Sequence, residues 1–124
     1  MKKTISALCL VLAGCSTFQN PINTTRLAEV ESAYGIALSA AVAYRSLYNI
    51  NRCTASKPES ATNICARRSV VLSLQKADRE AQVALAAART FVNNNPTLDA
   101  SSVISVASQA VGVMRDIESI NGIK

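Results

Sequence analysis

Apolar positions recur at alternating spacings of three and four residues in three stretches of the chain, the signature of helices with one buried face. The first runs from about Arg26 to Tyr48, with Leu27, Val30, Tyr34, Ala37, Ala41, Tyr44 and Tyr48 on its stripe. Thr25 stands where a cap belongs, and Glu29 and Glu31 lie near the positive end of the helix dipole. Gly35 falls inside this stretch, where it either weakens the helix or marks a close packing point. The second stretch carries Val70, Leu74, Ala77, Ala81, Ala84, Ala88 and Phe91, widened by Val71, Leu85 and Val92, with Arg68, Lys76, Arg79, Glu80 and Arg89 off the stripe. Asn93-Asn94-Asn95-Pro96 ends it, because proline disfavours helical geometry in the residue before it. Ser56-x-x-Glu59 has the form of a capping box. A helix from there would be about 55 Å long, against about 35 Å for the first. The expected start is therefore near Cys65, after a separate short turn.

The third stretch follows Asp99, a good cap, and places Val103, Val106, Ala110, Val113, Ile117 and Ile120 on one stripe. Val103-Ile104-x-Val106 is β-branched enough to suggest a strand, but the helical spacing persists over more than four turns. Asn121-Gly122 supplies the stop. Leu38, Leu47 and Ile104 fall outside the stripes; they either widen the core or stand exposed as docking positions. Three amphipathic helices with short links predict an all-α fold, an antiparallel three-helix bundle.

Composition sharpens this picture. Hydrophobic residues make up 49% and charged residues 17%, which is too apolar for a disordered chain. Aromatics are only 4%, so alanine and small aliphatics must fill the core and the helices must approach closely. The net charge is +5, and loss of Lys2 and Lys3 with a cleaved leader would lower it to +3. That excess, without stacking aromatics, does not suit nucleic acid.

The chain contains no histidine, the commonest general base and metal ligand. It has no Gly-x-Ser-x-Gly elbow and no glycine-rich phosphate loop. Asp78-x-Glu80 and Asp116-x-Glu118 could be imagined as acid–base pairs, but residues two apart on a helix do not face each other. They read as solvated faces. The expectation is a non-catalytic protein without metal or cofactor.

The N-terminus has an address. Met1-Lys2-Lys3 is positive, Ile5 to Leu12 is apolar, and Ala13-Gly14 is small: the three parts of a secretory signal, too short to span a bilayer. Leu12-Ala13-Gly14-Cys15 resembles the lipobox of bacterial lipoproteins. The resemblance implies cleavage before Cys15 and a diacylglycerol on its thiol, often with a further acyl chain such as palmitate on the new amine. Residues 1–14 are then a signal peptide, 15–24 a lipidated tether and 25–124 the bundle domain. Two or more acyl chains hold a protein stably at a membrane. By the rule of that class, Ser16 after the cysteine directs the protein to the outer membrane, facing the periplasm.

With Cys9 removed and Cys15 acylated, Cys53 and Cys65 remain in an oxidising compartment, where a structural disulfide is expected. Pairing them would pin the connection between the first two helices and contribute about 3 kcal/mol through chain entropy. Arg45, Arg52, Lys57, Arg67 and Arg68 lie around this loop, with Glu59 the only acid among them. Arg52, Lys57, Arg67 and Arg68 are candidates for binding an anionic glycan or lipid or an envelope protein. The same residues also read as a solvated basic face. Lys124 resembles the terminal lysine through which major murein lipoproteins are joined to peptidoglycan, although this chain is longer and broken into three segments. Small helical lipoproteins of prophages and mobile elements, some acting in exclusion, are similar in architecture. The functional expectation is a membrane-anchored binding module of the envelope, with a structural spacer or an exclusion lipoprotein as the alternative.

Overall fold

The computed structural model describes residues 21–123. The signal, the lipobox with Cys15, the first part of the tether and Lys124 lie outside the described residues. The described chain is an all-α antiparallel three-helix bundle: α1 Pro21–Ile50, α2 Arg68–Asn94 and α3 Ser101–Ile120. No helix among the described residues is long and apolar enough to cross a membrane.

Helix α1 starts earlier than the stripe suggests. Pro21 opens it, where a missing N–H and a fixed φ are assets. Thr25 therefore sits inside the helix, and its hydroxyl donates back to the Pro21 carbonyl at 2.9 Å instead of capping. Residues 21–24 are not tether. Asn23 is buried, and its amide donates to the Leu98 carbonyl at 2.7 Å while its carbonyl oxygen accepts from Ala100 N–H at 3.3 Å. This clasp fixes the start of α1 against the link between α2 and α3.

Helix α2 begins at Arg68, three residues after Cys65, and ends at Asn94 before Pro96. Its buried residues are Val70, Val71, Leu74, Ala77, Ala81, Leu85, Ala88 and Val92, all on the expected stripe or its widening, with Ala84 and Phe91 half-buried beside them. Ser56-x-x-Glu59 opens no helix; it lies in a loop of turns. Asp99 accepts a hydrogen bond from Ser101 N–H at 2.9 Å, which satisfies one free donor at the start of α3, though Ala100 holds the cap position. That bond holds the Asp99 carboxyl below its ordinary value of 3.8. The stop of α3 is a Schellman turn. Gly122 takes φ of 67°, Ile123 N–H donates to the Glu118 carbonyl at 2.8 Å and Gly122 N–H to Ser119 at 3.2 Å.

Helix α3 is rotated from the expected face. Its buried residues are Ile104, Ala107, Val111, Met114 and Glu118. Val103, Ala110 and Ile117 are half-buried beside them, while Val106, Val113 and Ile120 are exposed. Ile104, expected outside the stripe, is a core residue; Leu38 and Leu47 are half-buried. The cause is close approach. Ala37, Ala77, Ala81, Ala88, Ala100 and Ala107 are all essentially buried, and these small side chains let the three helices meet with the lighter face of α3 inward. Gly35 is no packing point, since a Cβ there would meet nothing within 4 Å.

Candidate functional site

The loop between α1 and α2 is built from the backbone outward. Cys53 and Cys65 form a disulfide with Cα atoms 5.0 Å apart. Around it Cys53 N–H donates to the Ala66 carbonyl at 2.9 Å, and Ala66 N–H to Asn51 at 3.0 Å. Two asparagines order the rest. The Asn63 amide donates to the carbonyls of Lys57 and Pro58, and the Asn51 amide donates to Asn63 Oδ1 and to the Ile64 carbonyl. Thr54 and Lys57 exchange backbone hydrogen bonds, as do Ser60 and Asn63, so each pair closes a tight turn. Tyr44 of α1 reaches across to accept Arg67 N–H at 2.9 Å. Cys65 and Ala66 are buried, which seats the loop on the end of the bundle.

The basic residues differ in what they are free to do. Arg67 lies 3.7 Å from the Glu59 carboxylate and donates to Asn121 Oδ1 at 2.8 Å, tying the loop to the end of α3. The Arg52 guanidinium stands 4.7 Å above the Tyr48 ring, a cation–π contact. Lys57 and Arg68 are exposed, and neither side chain makes an ion pair or hydrogen bond among the described residues. Arg45 is likewise exposed and without an ion pair among them. The arrangement therefore presents positive charge on an ordered loop, with Arg67 serving structure and Lys57 and Arg68 facing solvent.

Of the four acids read as solvated faces, Glu80 and Asp116 are exposed, whereas Asp78 and Glu118 are not. Asp78 is half-buried and accepts the Tyr34 hydroxyl at 2.7 Å and the Gln82 amide at 3.0 Å. Burial and then the Asp78 hydrogen bond hold the Tyr34 hydroxyl above its usual value. Glu80 and Asp116 are exposed; Glu80 pairs with Lys76 at 4.0 Å. Arg89 pairs with Glu31 between α2 and α1.

Glu118 is the residue that spacing misses. It occupies a core position of α3, is 7% exposed, and its Oε1 has no hydrogen-bond partner. Burial pushes its carboxyl above the ordinary 4.5, with Arg115 pulling the other way. It lines an open groove of about 690 Å³ between α1 and α3, with Ile36, Ala40 and Ala43 on the opposite wall. The signal was available in principle: position 118 continues the series 100, 104, 107, 111, 114. Among the described residues, no group of His, Cys, Asp or Glu has the arrangement to hold a metal ion.

No protein-family model matches the chain, and comparison with curated proteins and with solved structures finds no match.

Proposed function

We propose that this chain is a lipid-anchored, non-catalytic interaction module of the bacterial cell envelope, held at the outer membrane through acylated Cys15 and facing the periplasm. The observation that carries the reading is the order of features along the chain. Cys15, in a lipobox, precedes Pro21 by six residues, and six residues reach at most about 20 Å. From Pro21, α1 runs 30 residues, about 45 Å, to the disulfide-closed loop. An anchor on one side and an ordered, cationic loop at the far end suit a protein that displays a surface away from its membrane. The Cys53–Cys65 disulfide fits an exported chain, since such bonds persist in oxidising compartments.

Metabolic labelling with a palmitate analogue tests the anchor. The full precursor should take up label, Cys15→Ala should take up none, and inhibition of the lipoprotein signal peptidase should accumulate a larger, acylated form. An unlabelled wild-type chain refutes the reading. The display role is tested by Lys57→Ser with Arg68→Ser, which leaves the Arg67 and Arg52 contacts in place. Loss of a specific in-cell crosslink from the loop supports interaction through it, whereas an unchanged pattern favours a spacer.

A further inference from the structure

Helix α1 carries two apolar stripes; the bundle covers one of them and leaves the other only partly covered, with Ala33, Ala40 and Leu47 half-buried. Ala33, Ile36, Ala40, Ala43, Leu47 and Ile50 recur at alternating three and four residues, the spacing of a helix-packing seam. Ile36 and Ile50 on this second stripe are 69% and 84% exposed. The stripe walls the groove that Glu118 lines from α3. Ser39, Ala40, Ala43 and Gly122 keep the trough low, so another helix can come close to both backbones. The trough continues past Tyr44 and Leu47 toward Ile64 in the disulfide loop.

The carboxyl decides what belongs there. Glu118 is more than nine-tenths buried, and Oε1 is without a partner at the edge of an apolar trough. A buried carboxyl without a hydrogen bond costs stability, and Arg115, which lines the same groove, makes no hydrogen bond or ion pair with it, so a donor arriving from outside would satisfy it. An aliphatic stem ending in a cation meets both the apolar wall and the acid. This chain's own unpartnered stripes lack one: neither the α1 stripe nor Val106, Val113 and Ile120 of α3 includes a lysine or arginine. A second copy that laid down either stripe would leave Glu118 unpaired.

We propose that the α1–α3 groove docks an amphipathic helix of a second protein, which lays aliphatic side chains on Ile36, Ala40 and Ala43 and sets one Lys or Arg on the Glu118 carboxyl, completing a four-helix bundle. The proposal rests on the reading of the chain as an interaction module. It does not depend on the lipid, so its failure and a failure of acylation are read in different experiments.

The test uses the intact, oxidised mature chain, in a lipid nanodisc if acylated and in free solution if not. The probes are labelled helical peptides with a leucine–alanine seam and Lys, norleucine or Glu at one central seam position. Fluorescence anisotropy should show the Lys peptide binding about tenfold or more tighter than the norleucine peptide, the worth of a charged buried hydrogen bond, and the Glu peptide not binding. Glu118→Gln should bring the Lys and norleucine peptides within about twofold of each other, the scale of a lost charge preference. Ala43→Trp should fill the trough and abolish binding, and Val113→Lys, away from the groove, should change nothing; thermal melts verify that each variant is folded. Equal binding of Lys and norleucine peptides, binding by neither, or a Lys preference that survives Glu118→Gln overturns the proposal. Self-association of the wild type that disappears in Ala43→Trp assigns the groove to a second copy and overturns it as well.

Discussion

Replacing Glu118 with methionine should make the protein more stable. The carboxyl sits in line with Ile104, Ala107, Val111 and Met114, 7% exposed, with one oxygen lacking a partner. Methionine has a similar volume and a flexible stem, so it fills the position without opening a cavity. An unsatisfied buried polar group costs about 1–3 kcal/mol. Because the groove is open to water on one side, the lower part of that range applies, and the expected gain near neutral pH is about 1–2 kcal/mol. For a domain of this size that raises Tm by roughly 4–8 °C per kcal/mol. The pH dependence identifies the cause. The folded carboxyl holds its proton more tightly than the unfolded one, whose value is near 4.5. Wild-type stability from this group is therefore fully present below 4.5 and falls as pH rises through the elevated folded value. Methionine does not titrate, so its advantage over glutamate should be small in acid, grow across that window and then level off. Urea unfolding followed by circular dichroism at several pH values measures both quantities. A Glu118→Met protein that is less stable than wild type near neutral pH, or an advantage that ignores pH, refutes the reasoning.

Other perturbations have signs fixed by the same structure. Cys53→Ala with Cys65→Ala opens a loop with a sequence separation of 12 and should cost about 3 kcal/mol in chemical denaturation, with the helices retained by circular dichroism. Gly35→Ala places a methyl in open space inside α1 and should raise stability by about 0.5–1 kcal/mol; a lower Tm would mean that the added Cβ does meet a neighbour. Asn23→Ala leaves the Leu98 carbonyl and Ala100 N–H without the partner that holds them, and should cost about 1–3 kcal/mol and speed amide exchange at Ala100. Tyr34→Phe removes the 2.7 Å bond to Asp78 and should cost about 1 kcal/mol, with the loss disappearing in strong alkali, where the tyrosine itself ionises.

How far the sequence discloses the fold differs helix by helix, and the reason is contrast. In α2 the charged side chains all stay off one apolar stripe, although Leu72 and Val83 stand exposed with them, so Val70, Leu74, Ala77, Ala81, Ala88 and Val92 could be placed inside directly. The start of α1 was obscured because Asn23 looks like a tether residue. Polar side chains are usually exposed, and its partners at Leu98 and Ala100 are more than seventy residues away. The disulfide loop was legible in its cysteines, but not in the asparagines that order it or in the Glu59 and Asn121 contacts that remove Arg67 from the free cations.

Helix α3 shows where periodicity alone stops. It has two apolar series, one through Val103, Val106, Ala110, Val113, Ile117 and Ile120, the other through Ala100, Ile104, Ala107, Val111 and Met114. Both keep helical spacing, and the first is heavier and free of charge, so spacing prefers it. The bundle buries the second because Ala100 and Ala107 permit close contact with the alanines of α1 and α2. Choosing that face carries Glu118 inward with it, since position 118 is the next step of the same series. The buried carboxyl is thus a direct consequence of which face packs, and its stability cost cannot be removed by turning the helix without exposing Ile104 and Met114. An acid at that position, beside an apolar stripe of α1 that is only partly covered, is what docking of the proposed cationic helix would use and what a core selected for stability alone would replace.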